Sequence, residues 1–106
     1  MDKQLVKLRV IESIYKLEDQ ILSTRRAMLS NGIDCIDRID HWLEAITIQK
    51  SYIQDISKAI EQDDIDKIRE FGKRIADIGM FIKEDSISLA EELRRGNSEI
   101  PPHKIH

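Results

Sequence analysis

The sequence predicts an all-α protein: an antiparallel three-helix bundle of long helices that associates into a multi-helix homodimer. Three observations lead to this prediction. Apolar residues recur at spacings of three, four and seven over three long stretches, as they do on one face of an α-helix. Polar segments at 30–32 and 62–64 separate the stretches, and no proline precedes Pro101. The 106 residues suit one domain with a modest core.

The first helix is predicted over residues 2–29. Its central apolar stripe consists of Val10, Ile14, Leu17, Ile21 and Met28. Asn31 and Gly32 follow the stripe, and this pair supplies the left-handed backbone conformation that commonly closes a helix.

The second helix is predicted over residues 34–62, with Asp34 as its N-cap. Its apolar face contains Ile36, Ile39, Trp42, Leu43, Ile46, Ile53, Ile56 and Ile60. A turn is expected at 62–64, because the apolar rhythm slips by one residue there and consecutive aspartates favour helix caps over helix interiors. One continuous helix through this turn is the alternative, since neither proline nor glycine lies at the break.

The third helix is predicted over residues 65–95, with a face formed by Ile68, Phe71, Ile75, Ile78, Ile82 and Leu89. Gly72 and Gly79 lie seven apart beside that face. A glycine inside a helix costs about 1 kcal/mol relative to alanine, so the pair predicts a close approach by another backbone or by a large side chain such as Trp42. Two tolerated glycines with no shared role are the alternative. Gly96 and the two residues after it are expected to end the helix, leaving 96–106 as a flexible tail.

Self-association is predicted because three slender helices carry more apolar surface than a single copy can bury. Isoleucine dominates the apolar positions, and isoleucine-rich seams favour assemblies of several helices. A homodimer with a four- or six-helix core is therefore expected. The predicted oligomer interface consists of Ile39, Trp42, Ile46, Ile53, Gly72 and Gly79.

The charge balance limits the partner classes. The chain has 17 lysines and arginines against 20 aspartates and glutamates, a net charge of −3, whereas a general nucleic-acid binder carries a basic excess. No apolar run is long enough to cross a bilayer, and the N-terminus lacks the pattern of a secretory signal. The lone Cys35 excludes an intrachain disulfide and fits a reducing compartment. We therefore expect a cytoplasmic protein that binds neither nucleic acid nor membranes.

Charged residues gather at both ends of the predicted bundle. Arginines at the ends of the first and third helices should lie near aspartates at the start of the second, so that the opposite charges neutralise each other. The arginines are Arg25, Arg26, Arg94 and Arg95, and the aspartates are Asp34, Asp37 and Asp40. The opposite end is acidic and forms the predicted binding surface for a basic partner, with a solvated, capped turn as the alternative. Its residues are Asp55, Glu61, Asp63, Asp64, Asp66 and Glu70.

His41 offers the one chemical constellation within a helix. Glu44 lies three residues after it, and Asp37 and Asp40 precede it. A di-iron bundle needs Glu-x-x-His pairs on two helices, and this sequence has neither that order nor a second helical histidine. No metal or cofactor is therefore predicted. A phosphate-accepting role for His41 lacks the lysine and glycine expected after such a histidine.

The function predicted from these patterns is that of a non-enzymatic helical protein–protein interaction module of the adaptor, chaperone or inhibitor type. It would act by docking a helix face onto another protein. The alternative is a small helical enzyme or phosphotransfer bundle that uses His41 and its neighbouring carboxylates. A third possibility is a nucleic-acid accessory protein that uses the arginine-rich end of the bundle.

Overall fold

The computed structural model describes residues 2–99, with side chains over residues 2–95. This part of the chain folds into three helices without a strand: α1 (Lys3–Ser30), α2 (Ile36–Glu61) and α3 (Ile65–Glu99). The all-α prediction is confirmed. So is the break between the second and third helices, which excludes one continuous helix. None of the three is both long enough and apolar enough to cross a bilayer.

Aspartates cap two of the three helix starts. Asp2 Oδ1 accepts a hydrogen bond from the Leu5 amide at 3.2 Å, and Asp64 Oδ1 accepts one from the Lys67 amide at 3.1 Å. Each bond satisfies an amide that has no partner inside its own helix. The aspartates at the second break therefore act as predicted, in the turn between α2 and α3.

Two predicted helix ends are wrong. Helix α2 begins after Cys35, whose side chain makes no capping hydrogen bond, so Asp34 is not its N-cap. Helix α3 runs to Glu99, past the predicted end at Arg95. Gly96 costs a helix only about 1 kcal/mol, whereas Pro101 is a much stronger terminator that also restricts the residue before it. The remainder of the predicted tail, 100–106, lies outside the described residues.

The described chain is a slender body of 65 × 21 × 19 Å. Helix α2 packs along both α1 and α3, whereas α1 and α3 meet each other over little of their length. This pattern of contacts fits a helical hairpin arrangement with α2 in the middle. Long helices packed around a narrow interior leave a thin core, as the sequence led us to expect.

The buried core is built largely on seven-residue repeats. Helix α1 contributes Ile14, Ile21 and Met28, and α3 contributes Ile68, Ile75, Ile82 and Leu89. Helix α2 contributes two overlapping series, because it faces both neighbours: Ile39, Trp42, Ile46, Ile56 and Ala59. The predicted apolar faces therefore match the core, with Phe71 and Ile78 packed at its margin.

Within a single chain, the structure does not show the close approach that the sequence predicts at the two glycines. A Cβ atom added at Gly72 would meet nothing within 4 Å, and one added at Gly79 would lie 3.4 Å from the side-chain nitrogen of Gln49. Neither a backbone nor Trp42 lies against them. Spacing alone predicted a close approach, but at Gly72 the helix surface is simply open.

Candidate functional site

The His41 imidazole lies on an open helix surface. Its side chain is 70% exposed, and its Nδ1 atom is 3.7 Å from Glu44 Oε2. Asp40 instead accepts a hydrogen bond from Arg25 Nε at 3.0 Å, and Asp37 is exposed. Among the residues described, no group of three or more His, Cys, Asp and Glu side chains could hold a metal ion. The chemical role of His41 stays a prediction.

The acidic end is partly engaged in local contacts. Asp63 pairs with Lys3, Asp64 caps α3, and Glu70 accepts a hydrogen bond from Arg74 at 2.8 Å. The other acidic side chains of this end are exposed, and they are Asp55, Glu61 and Asp66. Binding of a basic partner here stays a prediction, and the capped turn accounts for part of the cluster.

The predicted oligomer interface divides into an enclosed and a half-buried set. Ile39, Trp42 and Ile46 are at most 2% exposed within a single chain. A second copy therefore has no access to these three side chains while the helices stay together. Ile53, Gly72 and Gly79 are half-buried. Contact between copies stays a prediction, and of this set only Ile53, Gly72 and Gly79 are accessible to it in a single folded chain.

A polar cluster that the sequence patterns did not reveal joins α2 to α3. Arg38 donates two hydrogen bonds to the Asp85 carboxylate, from Nε at 3.0 Å and from Nη2 at 2.8 Å. Its third nitrogen, Nη1, donates to Glu92. Trp42 Nε1 donates to the same Asp85 carboxylate at 2.7 Å. One carboxylate therefore holds both the guanidinium and the indole in place. Its two parallel hydrogen bonds with Arg38 also set the orientation of the guanidinium plane.

The electrostatics of the cluster follow from these bonds. Hydrogen bonding from Arg38, and then from Trp42, lowers the pKa of Asp85 below its usual value, although partial burial opposes the shift. The bonds to Asp85 and Glu92 raise the pKa of Arg38. Both charges are thus held at neutral pH. Asp85 and Glu92 continue the seven-residue series of Phe71 and Ile78, and this change from apolar to acidic was the signal available in the sequence.

Gln49 is a second polar group inside the α2–α3 contact and is 2% exposed. Its Nε2 atom donates to the Ile75 carbonyl oxygen at 2.8 Å, while its Oε1 atom has no hydrogen-bond partner. Gly79 lies beside this amide, and a Cβ atom added there would be 3.4 Å from its nitrogen. Gln49 occupies the position that Trp42 and Ile56 hold one repeat before and after it, so it interrupts an otherwise apolar series.

A groove of about 570 Å³ lies between α1 and α3. It exists because these two helices pack on α2 more than on each other. Trp42 lies at its base, and the polar cluster holds that indole in place. Its other lining residues are Leu17, Gln20, Ile21, Thr24, Met28, Ile82, Lys83, Ser86, Leu89, Ala90 and Leu93. An apolar groove with a few polar groups is the usual form of a binding site.

Comparisons with protein-family models, with curated proteins and with solved structures found no match. Function must therefore be argued from the groove and the surface of this chain. The sequence patterns identified half of the groove residues as core, but they did not reveal that the groove is open. That property depends on the distance between two helices that are not consecutive in the chain.

Proposed function

We propose that this protein is a non-enzymatic interaction module: an antiparallel three-helix bundle that forms a homodimer and binds a partner protein by helix-face docking. Antiparallel packing of α1 and α2 is supported by three ion pairs. As the residue number rises along α1, the number of its partner, on α2 or in the turn after it, falls. These pairs join Lys3 to Asp63, Glu18 to Lys50 and Arg25 to Asp40.

The observation that carries the proposal is the apolar surface that one copy leaves in contact with water. Large hydrophobic side chains between 43% and 62% exposed occur on all three helices, and they are Leu5, Leu8, Tyr15, Leu29, Ile48, Met80, Phe81 and Ile87. Scattered exposed hydrophobics are normal in a monomer. Here several recur at helical spacing, which is the arrangement that helix-face docking uses.

Helix α1 carries the most regular of these exposed series. Leu8, Tyr15, Leu22 and Leu29 lie seven residues apart, and all but the half-buried Leu22 are exposed. Residues at this spacing form a continuous seam along a helix. Across the middle of the seam, the Lys50 ammonium lies 4.9 Å from the centroid of the Tyr15 ring. We place the homodimer contact on this seam, which is distinct from the groove.

Sedimentation equilibrium at micromolar concentration tests the homodimer. The wild-type chain should give about twice the monomer mass of 12.4 kDa. The double variant Leu8→Glu with Leu29→Glu should sediment as a monomer, because burying unpaired carboxylates in an apolar contact is costly.

Ile48→Glu is the matched control for the double variant. Ile48 is 50% exposed on α2 and is not part of the α1 seam. This variant should keep the dimer mass and the wild-type helicity. A wild-type chain that sediments as a monomer would refute the homodimer, and a dimer that survives both seam substitutions would refute the placement of its contact.

A further inference from the structure

Over the residues whose side chains the structure describes, the side of the bundle that contains the groove carries bases and no acids. Lys83 is the one charged residue in the groove lining. On α3, Arg69 lies fourteen residues before Lys83, with Ala76 and Ala90 completing that helix edge. The next edge reads Lys73, Met80, Ile87 and Arg94. Acids of α3 follow a separate seven-residue series, Glu70, Asp77, Glu84 and Glu91.

Helix α1 shows the same bias on its side of the groove. Leu17 and Thr24 line the groove together with Gln20, and the next edge outward carries Arg9 and Lys16. The bases beside the groove are Lys16, Lys83 and Arg94. They are exposed, and none forms an ion pair with another described residue. Arg9, Arg69 and Lys73 extend the same edges toward the helix starts, before the groove begins. This sorting occurs in a chain whose net charge is −3.

We infer that the α1–α3 groove binds an amphipathic α-helix of a partner protein whose apolar stripe is flanked by acidic residues. The inference rests on the proposed interaction function and names the partner class. The groove runs from Leu17 to Met28 on α1, which corresponds to about 17 Å, or three helical turns, at about 1.5 Å per residue. The partner helix would complete a four-helix cross-section, with its acids against the flanking bases.

Three other occupants fit the groove less well. Nucleic acid would place phosphates against a lining whose single charge is Lys83. A lipid bilayer is broad and cannot enter a narrow concave groove. Two copies joined groove to groove would bring bases against bases, which disfavours that pairing.

Trp42 provides the measurement, because it is the one tryptophan in the chain and lies at the base of the groove. The probe is a tryptophan-free, helix-stabilised peptide of about four turns, with leucines at i, i+3, i+4 and i+7 and glutamates on both flanks. A second peptide carries lysine at each glutamate position. Titration of the full chain with the glutamate peptide should change the Trp42 emission saturably. The lysine peptide should bind about tenfold more weakly or worse.

Two pairs of variants test the location. Lys83→Glu should weaken binding of the glutamate peptide about tenfold and strengthen binding of the lysine peptide. Lys67→Glu makes the same charge change near the start of α3 and should alter neither affinity. Ala90→Phe should block the groove, while Ser88→Phe, two residues away and outside the lining, should not. If Ala90→Phe fails to fold, the lysine variants decide the question.

Several outcomes would overturn the inference. They are equal binding of the two peptides, glutamate-peptide binding unaffected by Lys83→Glu, and a Trp42 response to phosphatidylserine vesicles or to single-stranded DNA without one to the peptide. Sedimentation of the same samples separates this failure from that of the homodimer. A chain that sediments as a dimer but does not bind the peptide refutes the groove inference alone. A chain that sediments as a monomer and binds the peptide refutes the homodimer alone. Loss of the dimer in Lys83→Glu would show that a second copy occupies the groove.

Discussion

Asp85 connects the stability of the fold to the shape of the groove. Its carboxylate accepts hydrogen bonds from Arg38 and from Trp42 Nε1, so it holds the indole at the base of the groove. A tryptophan whose polar end is fixed presents its ring in one orientation. The same carboxylate is charged at neutral pH, and its bonds to Arg38 lower its pKa further below its usual value. Stability and groove geometry should therefore respond together when Asp85 changes.

Asp85→Asn should lower the free energy of unfolding by about 1–2 kcal/mol at pH 7, because a partly exposed charge-assisted pair is lost. Since the pKa of Asp85 is lowered in the folded chain, its contribution is fully present above about pH 4 and is lost as the pH falls further. The difference in the free energy of unfolding between wild type and Asp85→Asn should therefore become smaller below about pH 4. Urea titrations of both proteins from neutral to acidic pH measure this difference.

Asp77→Asn is the control for this pH series. Asp77 is an exposed carboxylate on the same helix and forms no ion pair with any residue the structure describes. Its substitution should change the free energy of unfolding by less than about 0.5 kcal/mol. A gap for Asp85→Asn that stays constant down to acidic pH would show that the Asp85 charge contributes nothing.

Gln49→Met should raise the free energy of unfolding by about 1 kcal/mol, because it removes a buried oxygen without a partner while keeping an unbranched side chain of similar length. The exposed Gln54 on the same helix supplies the control, and Gln54→Met should stay within about 0.5 kcal/mol of wild type. Chemical denaturation of both variants provides the comparison. A clear loss of stability in Gln49→Met would mean that the Gln49 oxygen is satisfied, for example by water.

Helices α1 and α2 end in the same hydrogen-bonded motif. After α1, Gly32 and Ile33 donate to Leu29 and Met28 at 3.2 and 2.9 Å. After α2, Asp63 and Asp64 donate in the same pattern to the Ile60 and Ala59 carbonyl oxygens at 3.1 and 2.9 Å. Each motif needs a residue with positive φ, which is Gly32 in one and Asp63 in the other. Aspartate pays a steric cost in this conformation that glycine avoids.

Asp63→Gly should therefore stabilise the fold by about 0.5–1 kcal/mol, even though it removes the exposed ion pair with Lys3. Thermal unfolding followed by circular dichroism should show a higher midpoint. Gly32→Asp is the reciprocal variant and should lose a similar amount, because it places a Cβ atom at φ +66°. A midpoint that falls in Asp63→Gly would mean that the ion pair outweighs the backbone strain.

At the scale of helices, the sequence predicted what local chemistry decides. Asn31-Gly32 and the aspartates at 63 and 64 marked real helix ends. The predicted start of α2 was wrong because the helix begins after Cys35, without a side-chain cap, and not after Asp34. The end of α3 was wrong because glycine was given more weight than proline. Such boundaries depend on small differences in free energy between ending the helix at one residue and ending it at the next.

For the whole molecule, the apolar repeats identified the core but not the distances between helices. Ile14, Ile21 and Ile82 were correctly read as inward-facing. The open side between α1 and α3 depends on how the two outer helices sit on α2, which no local pattern records. Trp42 illustrates the limit. Its burial followed from spacing, whereas its bond to Asp85, distant in sequence, came only from the structure.

The middle position of α2 has a consequence for tolerance to sequence change. A substitution on the inner side of α2 changes the packing against two helices, whereas one on α1 or α3 chiefly changes the packing against α2. Natural variation should therefore accumulate faster in the two outer helices than in the central one. Such drift would let related chains acquire new specificities while the same central helix keeps the architecture intact.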